Sequence, residues 1–127
     1  KGGVHMRDSM GFLSDVIIDT HFIQRGRFGR LSEAVARFPN LLGLGLAEDT
    51  GLIIRNGNDC EVIGSGMVIV FDPSELTHNN VSILKEGLPV SITNLKVNVL
   101  AHGDQYFLHE RRTQVMTLEE YDRIQNF

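Results

Sequence analysis

The chain has 127 residues, 42% hydrophobic and 22% charged, which suffices for one domain with a real core and is too short for two. A formal net charge of -4 argues against a nucleic-acid module, which normally carries a basic face, and no apolar run nears the roughly 20 residues that cross a bilayer. One cysteine, Cys60, cannot close an internal disulfide, so no oxidising compartment is required and a cytoplasmic location is expected, a secreted form being the alternative.

In chain order, K-G-G-V-H-M-R-D-S-M has neither an initiator methionine nor a signal-peptide core, so the chain is expected to start inside a longer polypeptide. Asp8 to Ser14 reads as a short helical turn. The β-branched run Val16-Ile17-Ile18 reads as a buried strand ending on Asp19. Gly26 and Gly29 then break the chain into a loop. From Phe28, apolar Leu31, Ala34, Val35 and Phe38 recur at helical spacing until Pro39-Asn40 stops the helix. L-L-G-L-G-L-A (41–47) reads as a second buried strand ending on Glu48-Asp49-Thr50. Strand, loop, helix, strand is the unit of a parallel α/β sheet.

After Thr50, three short β-rich runs are split by N-G-N-D and G-S-G, both read as hairpin turns. A polar loop, Pro73 to Asn80, follows. L-K-V-N-V-L-A (95–101) alternates like a half-exposed strand, and 117–124 reads as a terminal helix capped by Thr117. The whole is read as a single α/β domain, its parallel part first and its antiparallel part second.

In open parallel sheets the ligand lies beyond the carboxyl ends of the strands, here Asp19-Thr20-His21 and Glu48-Asp49-Thr50. If those strands are neighbours, His21 and Glu48 meet as a general base and its orienting acid; the alternative is a hydrogen-bonded strand-end histidine. Arg25, Arg27 and Arg30 form a second cluster. Arginine grips carboxylate or phosphate in two places at once, and the intervening glycines would let several guanidinium groups converge. The alternatives are a solvated loop paired with Glu33 and a short nucleic-acid tract without the usual aromatic interleaving.

Other groups are weaker candidates. His5, His102 and His109 have no metal-ligand spacing to Cys60 or to one another, so no zinc or other cofactor is expected. I-G-S-G-M around Ser65 lacks the outer glycines of a nucleophile elbow and is read as a hairpin turn. Cys60 lies between Asp59 and Glu61, which disfavour a thiolate, and is read as structural. Gly43 and Gly45 lack the rest of a dinucleotide fingerprint. The residues thus offer a base, an orienting acid and an anion clamp, but no nucleophile.

V-I-I-D-T-H-F-I-Q-R-G-R-F-G-R-L, L-L-G-L-G-L-A-E-D-T-G and E-V-I-G-S-G-M-V-I-V together resemble the C-terminal half of the cyanophycinase family of serine peptidases, from about Gly11 to Asp104. The resemblance implies the C-terminal portion of a three-layer αβα sandwich related to class I glutamine amidotransferases, with an added antiparallel hairpin region. It implies a homodimer that cuts cyanophycin, a polyaspartate with arginine joined to each side-chain carboxylate, into β-aspartyl-arginine dipeptides.

By matching position it makes His21 the general base, Glu48 its orienting acid, Asp19 and Thr20 pocket residues, and Arg25, Arg27 and Arg30 the grip on the polymer. The family usually has glutamine at the place of Thr20, which leaves other aspartyl or isoaspartyl peptides as alternative substrates. A binding module for acidic polymers is the non-catalytic alternative. The family's serine sits in an elbow upstream of the D-x-H motif, and that elbow does not occur here. An N-terminal segment of the same enzyme is therefore expected to supply it, since this portion alone would leave a sheet edge unpaired.

Overall fold

A computed structural model describes residues 10–13, 15–20, 27–79 and 91–125. Its elements, in order, are β1 (Met10–Leu13), β2 (Val16–Asp19), α1 (Arg27–Arg37), β3 (Leu42–Leu46), β4 (Thr50–Arg55), β5 (Asp59–Gly64) and β6 (Val68–Asp72). After a 3-10 turn at Pro73–Glu75 come β7 (His78–Asn79), β8 (Ile92–Thr93), β9 (Lys96–Leu100), β10 (Gln105–Phe107), β11 (Arg112–Gln114) and α2 (Leu118–Gln125).

One sheet runs β1-β2-β3-β6-β9, and a second runs β11-β10-β5-β4. Within the first, β2 and β3 are parallel, with Asp19 opposite Gly45 and α1 as their crossover, as the sequence pattern anticipates. The other pairings of that sheet are antiparallel. The fold is therefore mixed α/β.

Residue alternation assigns the faces. Val16, Ile18, Leu42, Leu44, Leu46, Val68, Val70 and Leu100 point from the first sheet into one core with Leu52, Ile54, Cys60, Val62 and Tyr106 of the second. Ile17 and Phe71 point the other way, onto Leu31 and Val35 of α1. Among the described residues the layers are helix, sheet, sheet. The L-G-L-G-L pattern of β3 serves both faces: its leucines fill the space between the sheets, and its glycines let the helix approach. A Cβ at Gly43 would lie 2.7 Å from Val35 Cγ1. On the α1 side of the outer strand β9, Val97 and Val99 stay 43% and 60% exposed, beyond the helix's reach.

The structure corrects several local expectations. Met10–Leu13 is a strand, not part of a helical turn: Asp15 takes a left-handed φ of 66°, and β1 folds back antiparallel on β2. Pairing with a neighbouring strand outweighs the weak local helical pattern. Gly29 lies inside α1 and not in a loop, so Arg27 and Arg30 ride on the first turn of a helix; Gly26 lies outside the described residues. Phe38 follows the helix and is exposed instead of joining its apolar face. The polar stretch after Pro73 contains the 3-10 turn and β7, which pairs with β8.

The N-G-N-D turn is a hairpin: Asn56 and Gly57 take φ of 55° and 65°, and the Asn58 N–H closes it on the Arg55 carbonyl at 3.0 Å. G-S-G is not a hairpin. There the chain leaves the second sheet at β5 and enters the first at β6. The neighbouring antiparallel segment makes the opposite crossing between β3 and β4. The two form one long ribbon bent at 47–49 and 64–67, and the bend is where Glu48 sits.

The C-terminal helix is as anticipated, with a reciprocal capping box. The Glu120 N–H donates to Thr117 Oγ1 at 3.1 Å, and the Thr117 N–H donates to Glu120 Oε1 at 2.9 Å. No helix among the described residues is long and apolar enough to cross a membrane.

Candidate active site

Because β2 and β3 are parallel neighbours in near-level register, the chain leaves both at the same edge of the sheet. Asp19 and Thr20 end one strand, and Glu48 and Asp49 follow the other. Asp19 is 1% exposed and shares the α1 side with Ile17 by alternation. Thr20 is also buried, and its Oγ1, like the Tyr106 hydroxyl, has no hydrogen-bond partner among the described residues.

Glu48 is exposed in the turn between β3 and β4. One left-handed residue and two hydrogen bonds hold that turn. Asp49 takes a φ of 57°, Thr50 Oγ1 donates to the Glu48 carbonyl at 3.0 Å, and the Ser65 N–H donates to the Asp49 carbonyl at 3.0 Å. The adjoining glycines fit it closely. A Cβ at Gly64 would lie 2.1 Å from the Asp49 carbonyl oxygen, and one at Gly66 would lie 2.2 Å from Thr50 Oγ1. The Thr50 hydroxyl and the backbone contacts behind it thus set the turn on which Glu48 stands.

The remaining expected site residues divide. His21 and Arg25 lie outside the described residues, as does the side chain of Arg27. Arg30 is exposed on α1, and the ion pairs of the described residues do not include Glu33 with it. The sequence reading placed Thr50 at the end of the second strand and gave it no role; it opens β4, is buried at 3% exposure and packs against Gly66. A threonine directly after an acidic strand-end pair, with a G-S-G run further on, was the only available signal.

The opposite end of the first sheet is organised differently. Arg111, at a φ of 53°, is hydrogen-bonded through Nη1 to buried Asp72 and donates from Nη2 to the Asn40 carbonyl at 3.3 Å. Burial alone would push the Asp72 carboxyl up, but the Ser74 hydrogen bonds and the Arg111 guanidinium outweigh it and hold the group below its ordinary value. A groove of about 550 Å³ lies there against Pro39, Pro73, Ser74, Thr77 and Arg111. It holds no base–acid pair, and its cation is already bound to Asp72.

Cys60 fits a structural role: burial, then the charge of Asp59, pushes its thiol up to about 12, and Sγ rests 3.9 Å from the Asn58 carbonyl. Buried Tyr106 is likewise pushed up to about 12, first by burial and then by Asp72.

No family model matches the chain. Among curated proteins it is 39% identical over 108 residues to a cyanophycinase of Trichormus variabilis, covering 85% of this chain and 36% of that protein. To a cyanophycinase of Synechococcus elongatus it is 34% identical over 111 residues, covering 87% of this chain and 34% of that protein. A cyanophycinase of Geminocystis herdmanii is 35% identical over 103 residues, 81% of this chain and 38% of that protein. The chain thus spans little more than a third of the length of these relatives, and over that span it is similar to cyanophycinases.

Proposed function

We propose that this chain is the C-terminal, base-bearing part of a serine peptidase that hydrolyses cyanophycin to β-aspartyl-arginine dipeptides. A serine from an N-terminal segment of the same enzyme attacks the scissile carbonyl, and His21 takes its proton and returns it to the leaving amine. Glu48 orients the ring and steadies the imidazolium, and water then releases the acyl group by the same route. The observation that supports this reading is the parallel pairing of β2 and β3, which brings Asp19-Thr20 and the Glu48-Asp49 turn to the same end of the sheet.

Arg25, Arg27 and Arg30 hold the free α-carboxylates of the arginyl branches, a target suited to bidentate guanidinium groups. Asp19 receives a substrate guanidinium, and the buried Thr20 hydroxyl faces the pocket as a hydrogen-bonding group. The uncovered Val97 and Val99 support a complementing segment that completes an αβα sandwich of the amidotransferase type, assembled as a homodimer. A single buried cysteine is compatible with action in the cytoplasm.

The test is hydrolysis of cyanophycin by the protein complete with its serine-bearing segment. His21→Ala abolishes turnover, and Arg27→Ala raises KM more than it lowers kcat. Unchanged hydrolysis by His21→Ala refutes the reading. Thr20 supports a second substrate choice within the same chemistry, since its hydroxyl is shorter than the amide usual at that position. A panel of aspartyl and β-aspartyl dipeptides distinguishes the two, and preference for a dipeptide without arginine favours the second.

A further inference from the structure

The bend that carries Glu48 joins two sheets, and the hydrogen bond closing it comes from a buried side chain. Thr50 is 3% exposed, and its Oγ1 donates back to the Glu48 carbonyl at 3.0 Å. Gly66 leaves the room for this bond: a Cβ there would stand 2.2 Å from that oxygen and 2.8 Å from the Glu48 carbonyl. Ser65 fixes the next peptide through its N–H to the Asp49 carbonyl. Asp49, in the left-handed region, turns the chain so that Thr50 enters β4 while Glu48 stays outside.

The carbonyl of 48 is therefore held by the Thr50 hydroxyl, and the carbonyl of 49 by the crossing at Ser65. An exposed carboxylate on a clamped backbone is aimed by that backbone. We infer that Thr50 is a positioning residue, whose hydroxyl, seated against Gly66, holds Glu48 where it can orient the catalytic base.

This rests on the hydrolase reading, because it gives Glu48 the orienting role. Releasing the 48 carbonyl lets the peptide rotate and moves the carboxylate by about an ångström, a displacement that costs on the order of 100-fold in turnover when the moved group is catalytic. Losing a well-placed carboxylate also destabilises the protonated base. Its pKa then falls, and the acidic limb of kcat/KM moves to lower pH.

The experiment uses the protein complete with its serine-bearing segment and measures cyanophycin hydrolysis for Thr50→Val, Thr50→Ser, Glu48→Gln and the double variant Thr50→Val/Glu48→Gln. Thermal unfolding of each is followed in parallel. Thr50→Val is expected to lower kcat about 10- to 100-fold and to shift the acidic limb downward, and Thr50→Ser, which keeps the hydroxyl, to restore both. In the Glu48→Gln background Thr50→Val is expected to add almost nothing, because residues acting through one another are not additive.

Wild-type kinetics in Thr50→Val overturn the inference. So does a loss that only tracks the folded fraction, leaves the pH profile in place and multiplies with Glu48→Gln. Thr50→Ala provides the same comparison if the valine variant does not fold. Should Glu48→Gln itself leave hydrolysis intact, the hydrolase reading falls and the positioning role falls with it. Loss in Glu48→Gln with none in Thr50→Val removes the positioning role alone.

Discussion

The two ends of the central sheet treat polar groups in opposite ways. At the end where β3 begins and β6 finishes, Asp72 is buried but saturated, by the Ser74 N–H at 3.0 Å and by Arg111, which also holds the Asn40 carbonyl. At the other end, Thr20 is buried with a hydroxyl that has no partner among the described residues, and Glu48 stands exposed on a turn whose backbone is fixed. The Tyr106 hydroxyl near the Asp72–Arg111 pair is buried and also lacks a partner among the described residues, so the ends differ in their carboxylates: one bound to its cation, the other exposed. The groove of about 550 Å³ at the Arg111 end has its cation already bound to Asp72.

The comparison breaks most clearly in turnover. Glu48→Gln is expected to cut kcat for cyanophycin by about 10⁴-fold, the scale seen when the acid that orients a catalytic histidine is neutralised, while changing thermal stability little. Steady-state kinetics beside an unfolding curve checks this, and a large loss of stability with normal turnover would invert the assignment of the two ends.

The Arg111 end should respond the other way. Arg111→Met leaves Asp72 buried without its cation and is expected to cost about 2–3 kcal/mol of stability, somewhat less than a fully buried pair because Arg111 is partly exposed. Its kcat should not change. The pH dependence has a definite sign. Asp72 is held below its ordinary value of 3.8, so its contribution is present above that pH and is lost as the pH falls through the lower folded value. The deficit of Arg111→Met is therefore expected to narrow below about pH 4, where a protonated Asp72 no longer needs a cation. Denaturant midpoints at several pH values measure it.

The smallest effect lies far from both ends. Thr117→Ala removes half of the α2 capping box and is expected to cost about 1 kcal/mol, read as roughly fivefold faster amide exchange in that helix with turnover unchanged.

What was legible in the sequence was what neighbouring residues decide among themselves. Val16-Ile17-Ile18 is β-branched and strand-forming wherever it is put, Leu31 and Val35 share one helical face, and Thr117 with Glu120 closes its own cap. The adjacency of the Asp19 and Glu48 segments was also within reach, because a helix between two strands leaves a right-handed parallel crossover as the natural solution.

Tertiary structure alone decided the rest. G-S-G looks the same whether it closes a hairpin or carries a chain from one sheet to another, since both need glycine at tight, positive-φ or close-contact positions. Only the partners of β5 and β6 settle which. The pairing of β1 with β2, the burial of Thr20 and the reach of Thr50 back to the Glu48 carbonyl are likewise long-range or geometric facts. Local preference amounts to tenths of a kcal/mol per residue, and closing two sheets over one core is worth many times that, so burial of the shared core chose where the chain bends.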